Sequence, residues 1–494
     1  MLTVTTETTT ETHTPRAPTA RAFLATDRFR LGLMVVVSAA VYSVLGLVKL
    51  ATFRASIFDL VIFDQAVRNY AHFRPPYIPA VGAFHGRGLD YLQIVDHFSP
   101  IWAVLAPLYW IHDGPGTLIV AQALLFAAAI PPLWLFTRRV LGVVPAYLVA
   151  LAYALSWPVA QAIAFDAHEV MFVPVLTAVM IERYHAGRPL PAYLAMAALL
   201  LVKEDMGLMV IGFGMYLFAI GDRLRGVCCA AIGVGGTLLT RGAIIPMLGG
   251  DTADFWAYNH LGPDVGGALL GIARDPLAAL LMVFDDEAKV DTLFLLAWPT
   301  LLLCLLSPLS LVALPHVLER MLSDRALWWQ ADFQYSAFTV VILFCAGIDG
   351  LSRLLRWLGR DGDRTLGLAW ASGVLLVAIT LVPRFALDQL YHPAFYKGDE
   401  VKIAAAREAV AKIPDGAVVE AANSFGPALS GRTTVLLWTA RPNDAEWVVA
   451  DRDRWEFPFG SAEEQRKQID TLFTQGYTQV YERDGVVVLH RPPS

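Results

Sequence analysis

Five stretches of this chain contain no charged residue: 31–48, 114–137, 140–165, 292–315 and 365–383. Each reaches the roughly 18 apolar residues that a helix needs to cross the hydrocarbon core of a bilayer. Backbone polar groups in lipid have no water to bind, so such stretches must close their own hydrogen bonds as helices. The fold class that follows is an α-helical polytopic membrane protein. Composition agrees, with 56% hydrophobic and 17% charged residues, where soluble domains run near 45–50% and 25%. The net charge of −6 gives no basis for a nucleic-acid partner. Cys228, Cys229, Cys304 and Cys345 all fall in apolar segments and read as small core hydrophobes. Their spacing suggests neither zinc nor a disulfide framework.

Arginine placement sets the expected orientation. Residues 1–26 are rich in Thr and poor in large apolar side chains, and are expected to be a disordered cytoplasmic N-terminus. Arg28 and Arg30 precede the first apolar stretch, so that helix runs from cytoplasm to outside. Residues 189–221 are apolar apart from Lys203-Glu204-Asp205. Two short helices meeting at that triplet keep Arg183, Arg188, Arg223 and Arg225 on the cytoplasmic side. A second hairpin over 292–322, broken at Ser307-Pro308, does the same for Arg353, Arg356, Arg360 and Arg364. About eleven crossings result, within a membrane domain spanning 27–384. The acid-bearing loops 52–97, 163–169, 203–205, 249–291 and 321–333 then share the outer face.

Residues 385–494 differ. Charge rises and the apolar runs shorten to strand length at 417–421, 433–437, 446–450, 478–482 and 486–490. Helical patterns fall at 404–412, 425–429 and 462–475. Asp484-Gly485 is a hairpin turn signal. A small α/β domain outside the membrane is expected.

The candidate chemistry lies in the loops. Phe58-Asp59-Leu60-Val61-Ile62-Phe63-Asp64-Gln65 sets two carboxylates among aromatic and aliphatic side chains. Burying them is costly unless they are paired or bind something. Asp59 reads either as a general base facing a cavity or as a cap or ion-pair partner of Arg54 or Arg68. Asp64 either shares a ligand with Asp59 or caps the helix that follows. Asp96-His97 reads as a metal or phosphate ligand, or as a cap. Asp166, His168 and Glu169 form a dense polar group of metal-ligating types. Lys203, Glu204 and Asp205 read either as a phosphate-binding turn or as a solvated one. His316, Glu319 and Arg320 share a helical face. Arg320 either holds a lipid phosphate or pairs with Glu319.

These motifs together resemble a known family. Phe-Asp-x-x-x-x-Asp-Gln at 58–65, Asp-His-Phe-Ser-Pro at 96–100, Leu-Ala-Pro-Leu-Tyr at 105–109, Phe-Asp-Ala-His-Glu at 165–169, Lys-Glu-Asp at 203–205 and Gln-Tyr at 334–335 follow one another in order. The chain is similar over roughly 50–450 to an uncharacterised bacterial and archaeal family of multispanning membrane proteins grouped with the GT-C glycosyltransferases. The resemblance implies a GT-C-like membrane domain in the plasma membrane, a polyprenyl-phosphate sugar as donor and a glycan, lipid or protein as acceptor. It implies Asp59 as the catalytic carboxylate of the first outer loop. Asp64 is a second acid so near that the choice between them stays open. His97, Lys203, Glu204, Asp205 and Arg320 are then the candidates to face substrate and phosphate. Some GT-C members use a divalent cation, magnesium or manganese, for which Asp166, His168 and Glu169 are the candidate ligands. Two other functions fit the same pattern: a transporter or flippase of a lipid-linked or anionic solute, and a non-catalytic envelope assembly protein. No internal repeat supports the transporter.

Overall fold

A computed structural model describes residues 26–251 and 256–492. The expected disordered segment 1–26 lies, but for its last residue, outside them. Among the described residues, five helices are long and apolar enough to cross a membrane: Asp27–Ala51, Pro115–Leu141, Val143–Ala164, Arg223–Met247 and Arg364–Arg384. The first starts at Thr26, whose hydroxyl accepts from the Phe29 N–H, and it carries Lys49 in its last turn. Its outer face exposes Leu33, Val36, Val37 and Val44, an apolar stripe suited to lipid. Gly142, at φ +94°, makes the sharp turn between the second and third helices, a conformation that other residues resist.

Both stretches expected to form hairpins are broken helices. Residues 189–221 form Pro189–Leu199 and Gly207–Ala219, with Lys203-Glu204-Asp205 in the turn between them. Gly207–Ala219 packs closely on Arg223–Leu239, because Gly214 and Gly226 let the two backbones touch where any Cβ would clash. In 292–322 the break is wider than a single Ser-Pro step. Glu287–Ala297 ends in short 3₁₀ turns, Leu301 and Leu302 take left-handed angles, and a helix resumes over Ser310–Met321. The count of about eleven crossings thus depends on elements shorter than a full span. The connection 249–291, expected as a loop, contains the helices Val265–Arg274 and Pro276–Met282, bent by 106°. Asp275 caps the second of them by accepting from the Ala278 N–H, which turns the chain sharply.

The C-terminal region holds one five-stranded sheet in the order β2-β1-β3-β5-β4. β1 (Val418–Ala421), β2 (Thr434–Leu437) and β3 (Trp447–Asp451) run parallel, with Val419 opposite Val435. β4 (Thr478–Arg483) and β5 (Val486–His490) add an antiparallel hairpin through Asp484-Gly485, both at positive φ. Helices Glu400–Ala411 and Ala462–Thr474 complete the unit. Its apolar core also takes in Phe53, Ile57 and Val61, so the first loop is packed into the sheet region.

Candidate functional site

The site begins with a turn. After the first helix the chain leaves at Thr52, and the next helix, Ile62–Ala71, begins ten residues on. In between, Phe58 is extended and Asp59 sits at φ +74°, ψ −63°. Such an angle costs an L-residue about 1–3 kcal/mol and persists only when neighbours enforce it. Three anchors do so. Asn423 Oδ1, from the C-terminal region, accepts from the backbone N–H of Ile57 at 2.9 Å and of Phe58 at 3.2 Å. Asp166 Oδ2 accepts from the N–H and the hydroxyl of Ser56, each at 2.9 Å. Ile57 fills the space left by the missing side chain of Gly426.

Asp59 emerges from this turn 20% exposed, with Oδ1 4.0 Å from His168 Nε2. Its carboxylate accepts no hydrogen bond from the described residues. Behind it runs a chain of charges. His168 Nδ1 is 3.1 Å from Glu169 Oε2, and Glu169 Oε1 is 3.2 Å from Lys203 Nζ. Lys203 is only 10% exposed and Glu169 is fully buried. His97 Nδ1 lies 3.0 Å from Glu204 Oε1, whose other oxygen accepts from the Phe98 N–H. The edge of the Phe63 ring against the His168 imidazole fixes that ring's place.

These neighbours tune one another. Burial pushes the Asp59 carboxyl up to about 8, and the negative charges of Glu169 and Asp166 add to it against the opposing pull of His97 and Lys203. Burial works against protonation of His97, but Glu204 overcomes it and lifts the imidazole to about 9. Burial holds His168 down at about 4. Near neutral pH the site therefore offers a carboxyl poised to trade a proton, a neutral imidazole beside it, and two cations, Lys203 and His97.

The structure brings Asp59, His168, Glu169 and Lys203 together, with Asp166 and the His97–Glu204 pair supporting them. Other candidates stand apart. Asp64 is fully buried and pairs with Arg68 at 2.8 Å while accepting from the Tyr109 hydroxyl at 2.7 Å. Arg68 is thus spent on Asp64, and Arg54 donates to Thr52 and to the Phe395 carbonyl, so neither pairs with Asp59. Arg320, expected to hold a lipid phosphate, is 1% exposed and donates to the Trp328 carbonyl and the Ser336 hydroxyl. It closes the 321–336 connection. Asp205 turns toward His316 and Glu319.

The triplet expected to bind a cation is divided. Asp166 is committed to Ser56 and to Lys49, 3.3 Å away. His168 and Glu169 are committed to each other, and Glu169 also to Lys203. Consecutive residues of a tight turn point in different directions, so Asp166, His168 and Glu169 do not fit one metal ion as a set.

Sequence reading missed Lys49, Ser56 and Asn423 as parts of the site. Lys49 had a signal, being a lone charge in the last turn of an apolar helix. Ser56 and Asn423 act through short hydrogen bonds that no spacing encodes.

No curated protein matches the chain. Among solved structures, its fold is similar to ArnT from Cupriavidus metallidurans bound to undecaprenyl phosphate, at TM-score 0.49 and 13% identity over 94% of this chain and 98% of that one. It is similar also to the Archaeoglobus fulgidus oligosaccharyltransferase tethered with an acceptor peptide, at TM-score 0.43 and 11% identity over 94% of this chain and 74% of that one. A family model described as "Predicted membrane protein (DUF2079)" matches residues 49–488, from the end of the first helix through the last strand, and the chain belongs to that family of membrane proteins.

Proposed function

We propose that this protein is a membrane glycosyltransferase that moves a sugar from a polyprenyl-phosphate donor to an envelope glycan, lipid or protein, with Asp59 as general base. The observation that carries the reading is Asp59 itself. It is held at a strained angle by three anchors, its carboxylate accepts no hydrogen bond from the described residues, and it feels the charges of His97 and Lys203. Strain of this kind marks a position whose use is in chemistry, since a cap or structural ion pair needs none of it. The GT-C-like order of motifs in the sequence supports the same assignment.

In this reaction an acceptor hydroxyl gives its proton to Asp59 as its oxygen forms a bond to the anomeric carbon. The bond from that carbon to the phosphate oxygen breaks, and the lipid phosphate leaves with the electron pair. One displacement inverts the anomeric centre and needs no covalent intermediate. In this reading Lys203 and protonated His97 support the growing negative charge of the phosphate, the kind of fixed electrostatic help that is often the largest catalytic term. A carboxyl that titrates near 8 suits general-base work near neutral pH, worth roughly 10²–10⁴ in rate. Asp166 and Glu204 act as positioning residues. The reading carries an orientation with it: the N-terminus in the cytoplasm, and the Asp59 turn with residues 385–494 outside the plasma membrane.

The test is direct. Purified protein in lipid nanodiscs is incubated with a panel of polyprenyl-phosphate sugars, and released polyprenyl phosphate is measured. Turnover of at least one donor, lost in Asp59→Asn, is the expected result. No release from any donor, or full activity in Asp59→Asn, removes the assignment.

A further inference from the structure

A second group of ligating side chains lies beyond Lys203, on different elements. Asp205 comes from the turn before Gly207–Ala219, and His316 and Glu319 come from one face of Ser310–Met321. One ligand atom from each lies within 4.8 Å of the other two. Three features of this group point to a missing ligand. His316 is 3% exposed, yet neither ring nitrogen has a hydrogen-bond partner among the described residues. Asp205 Oδ1 is buried and equally unpartnered. Glu319 Oε2 lies 3.5 Å from His316 Nδ1 without forming a hydrogen bond. A buried polar group left unsatisfied costs about 1–3 kcal/mol, so several at one point call for an explanation.

The surroundings hold the group in place. The Tyr258 hydroxyl donates to Glu319 Oε1 at 2.9 Å, orienting the carboxylate from outside. The Phe338 ring packs on the His316 imidazole at 4.8 Å. Asp205 and Glu319 also line a cavity of about 190 Å³ whose other walls include Leu208, Arg241 and Leu269. An ion at this point has a route of entry and keeps open positions toward that cavity.

We propose that Asp205, His316 and Glu319 form a divalent transition-metal site. One imidazole with two carboxylates is a donor set suited to manganese, iron or zinc, whereas calcium and magnesium prefer oxygen ligands alone. The ion satisfies the lone pair of His316 and of Asp205, and it offsets the repulsion of two carboxylates that close to each other. The ligand set is different from the Asp166–Glu169 stretch that the sequence suggests. It does not depend on the glycosyl-transfer reading, because binding is measured without any donor or acceptor.

The test uses full-length protein in nanodiscs, with its affinity tag removed and stripped with a chelator. Mn²⁺ binding is followed by electron paramagnetic resonance, with pulsed detection of nitrogen coupling from a bound imidazole. The wild type is expected to bind about one equivalent with such coupling. His316→Asn removes the coupling, and Asp205→Asn and Glu319→Gln weaken binding by at least tenfold. Glu169→Gln and Asp59→Asn keep the affinity within a few-fold. The two isosteric acid variants carry the test if His316→Asn does not purify as a monodisperse species. Absence of saturable Mn²⁺ and Zn²⁺ binding overturns the proposal. So does binding that survives in Asp205→Asn and Glu319→Gln but is lost in Glu169→Gln or His168→Asn.

Discussion

Asp59→Asn separates the cost of the carboxylate from its use. The carboxyl is raised from the ordinary 3.8 to about 8, chiefly by burial and then by Glu169 and Asp166. At about 1.4 kcal/mol for each tenfold, the ionised form carries a penalty of roughly 6 kcal/mol in the folded protein. Because the folded pKa is raised, the proton on Asp59 stabilises the fold fully below the unfolded value near 4. That contribution fades as pH rises and is gone above about 8. Asn keeps the shape without the charge. The two proteins should therefore be equally stable near pH 4. Asp59→Asn should gain stability progressively between pH 4 and pH 8, and the gap should then stay constant. The side chain is 20% exposed, and water at its open face lowers the penalty, leaving an expected gain of about 1–3 kcal/mol. For a chain of this length that corresponds to a rise in Tm of about 1–3 °C. The assay is thermal unfolding of both proteins in the same nanodiscs across this pH range, run beside the transfer assay. A variant that is more stable at pH 8 and inactive has lost a functional group whose presence costs stability. A gap in Tm that ignores pH, or one that favours the wild type at pH 8, refutes the reasoning.

Three further outcomes follow from the same geometry. Asp166→Asn leaves Lys49 buried beside a neutral amide and weakens the hold on Ser56, so it should destabilise the protein by about 3–5 kcal/mol in thermal unfolding. The His97–Glu204 pair stabilises fully below pH 6.5, and its contribution of up to about 3 kcal/mol is lost as pH rises through about 9. His97→Gln should abolish that limb of the pH–stability profile. Lys203→Met removes a buried charge-assisted partner, and it should weaken binding of a polyprenyl phosphate by about 10–100-fold in a titration.

The sheet was legible nearly to the residue. Strands at 418–421, 434–437 and 486–490 follow from short apolar runs, and the β4–β5 turn follows from Asp484-Gly485, whose positive angles are the ones that pair prefers. The break at Lys203-Glu204-Asp205 was legible because three charges inside an apolar run have no other comfortable place. The site was legible only as a set of acids that must gather. Which acids are spent and which are free depends on partners far along the chain: Arg68 and Tyr109 for Asp64, Trp328 and Ser336 for Arg320, Lys49 and Ser56 for Asp166. Adjacency misled at 166–169, where neighbours in sequence diverge in space. It also concealed the convergence of Asp205 with His316 and Glu319, which lie more than a hundred residues further along the chain.

The distribution of charge explains why those two places stand out. Asp64 has Arg68, Asp166 has Lys49, Glu169 has Lys203 and Glu204 has His97. Each of these pairs offsets the cost of taking a carboxylate out of water, and all but the Asp64–Arg68 pair, which lies within one helix, join separate parts of the chain. Asp59 and Asp205 have no such partner, and the Glu319 carboxylate adds to the negative charge around Asp205. A buried acid without a directly paired cation holds nothing in place, and the more distant His97, Lys203 and Arg241 offset only part of its cost, which leaves a place for something outside the chain. For Asp59, bent into its turn by three anchors and open on one side, a proton is enough, and a group that takes and returns a proton is a base. For Asp205 and Glu319, with an unpartnered imidazole between them, a proton would leave the His316 lone pair unmet, whereas a divalent ion meets all three.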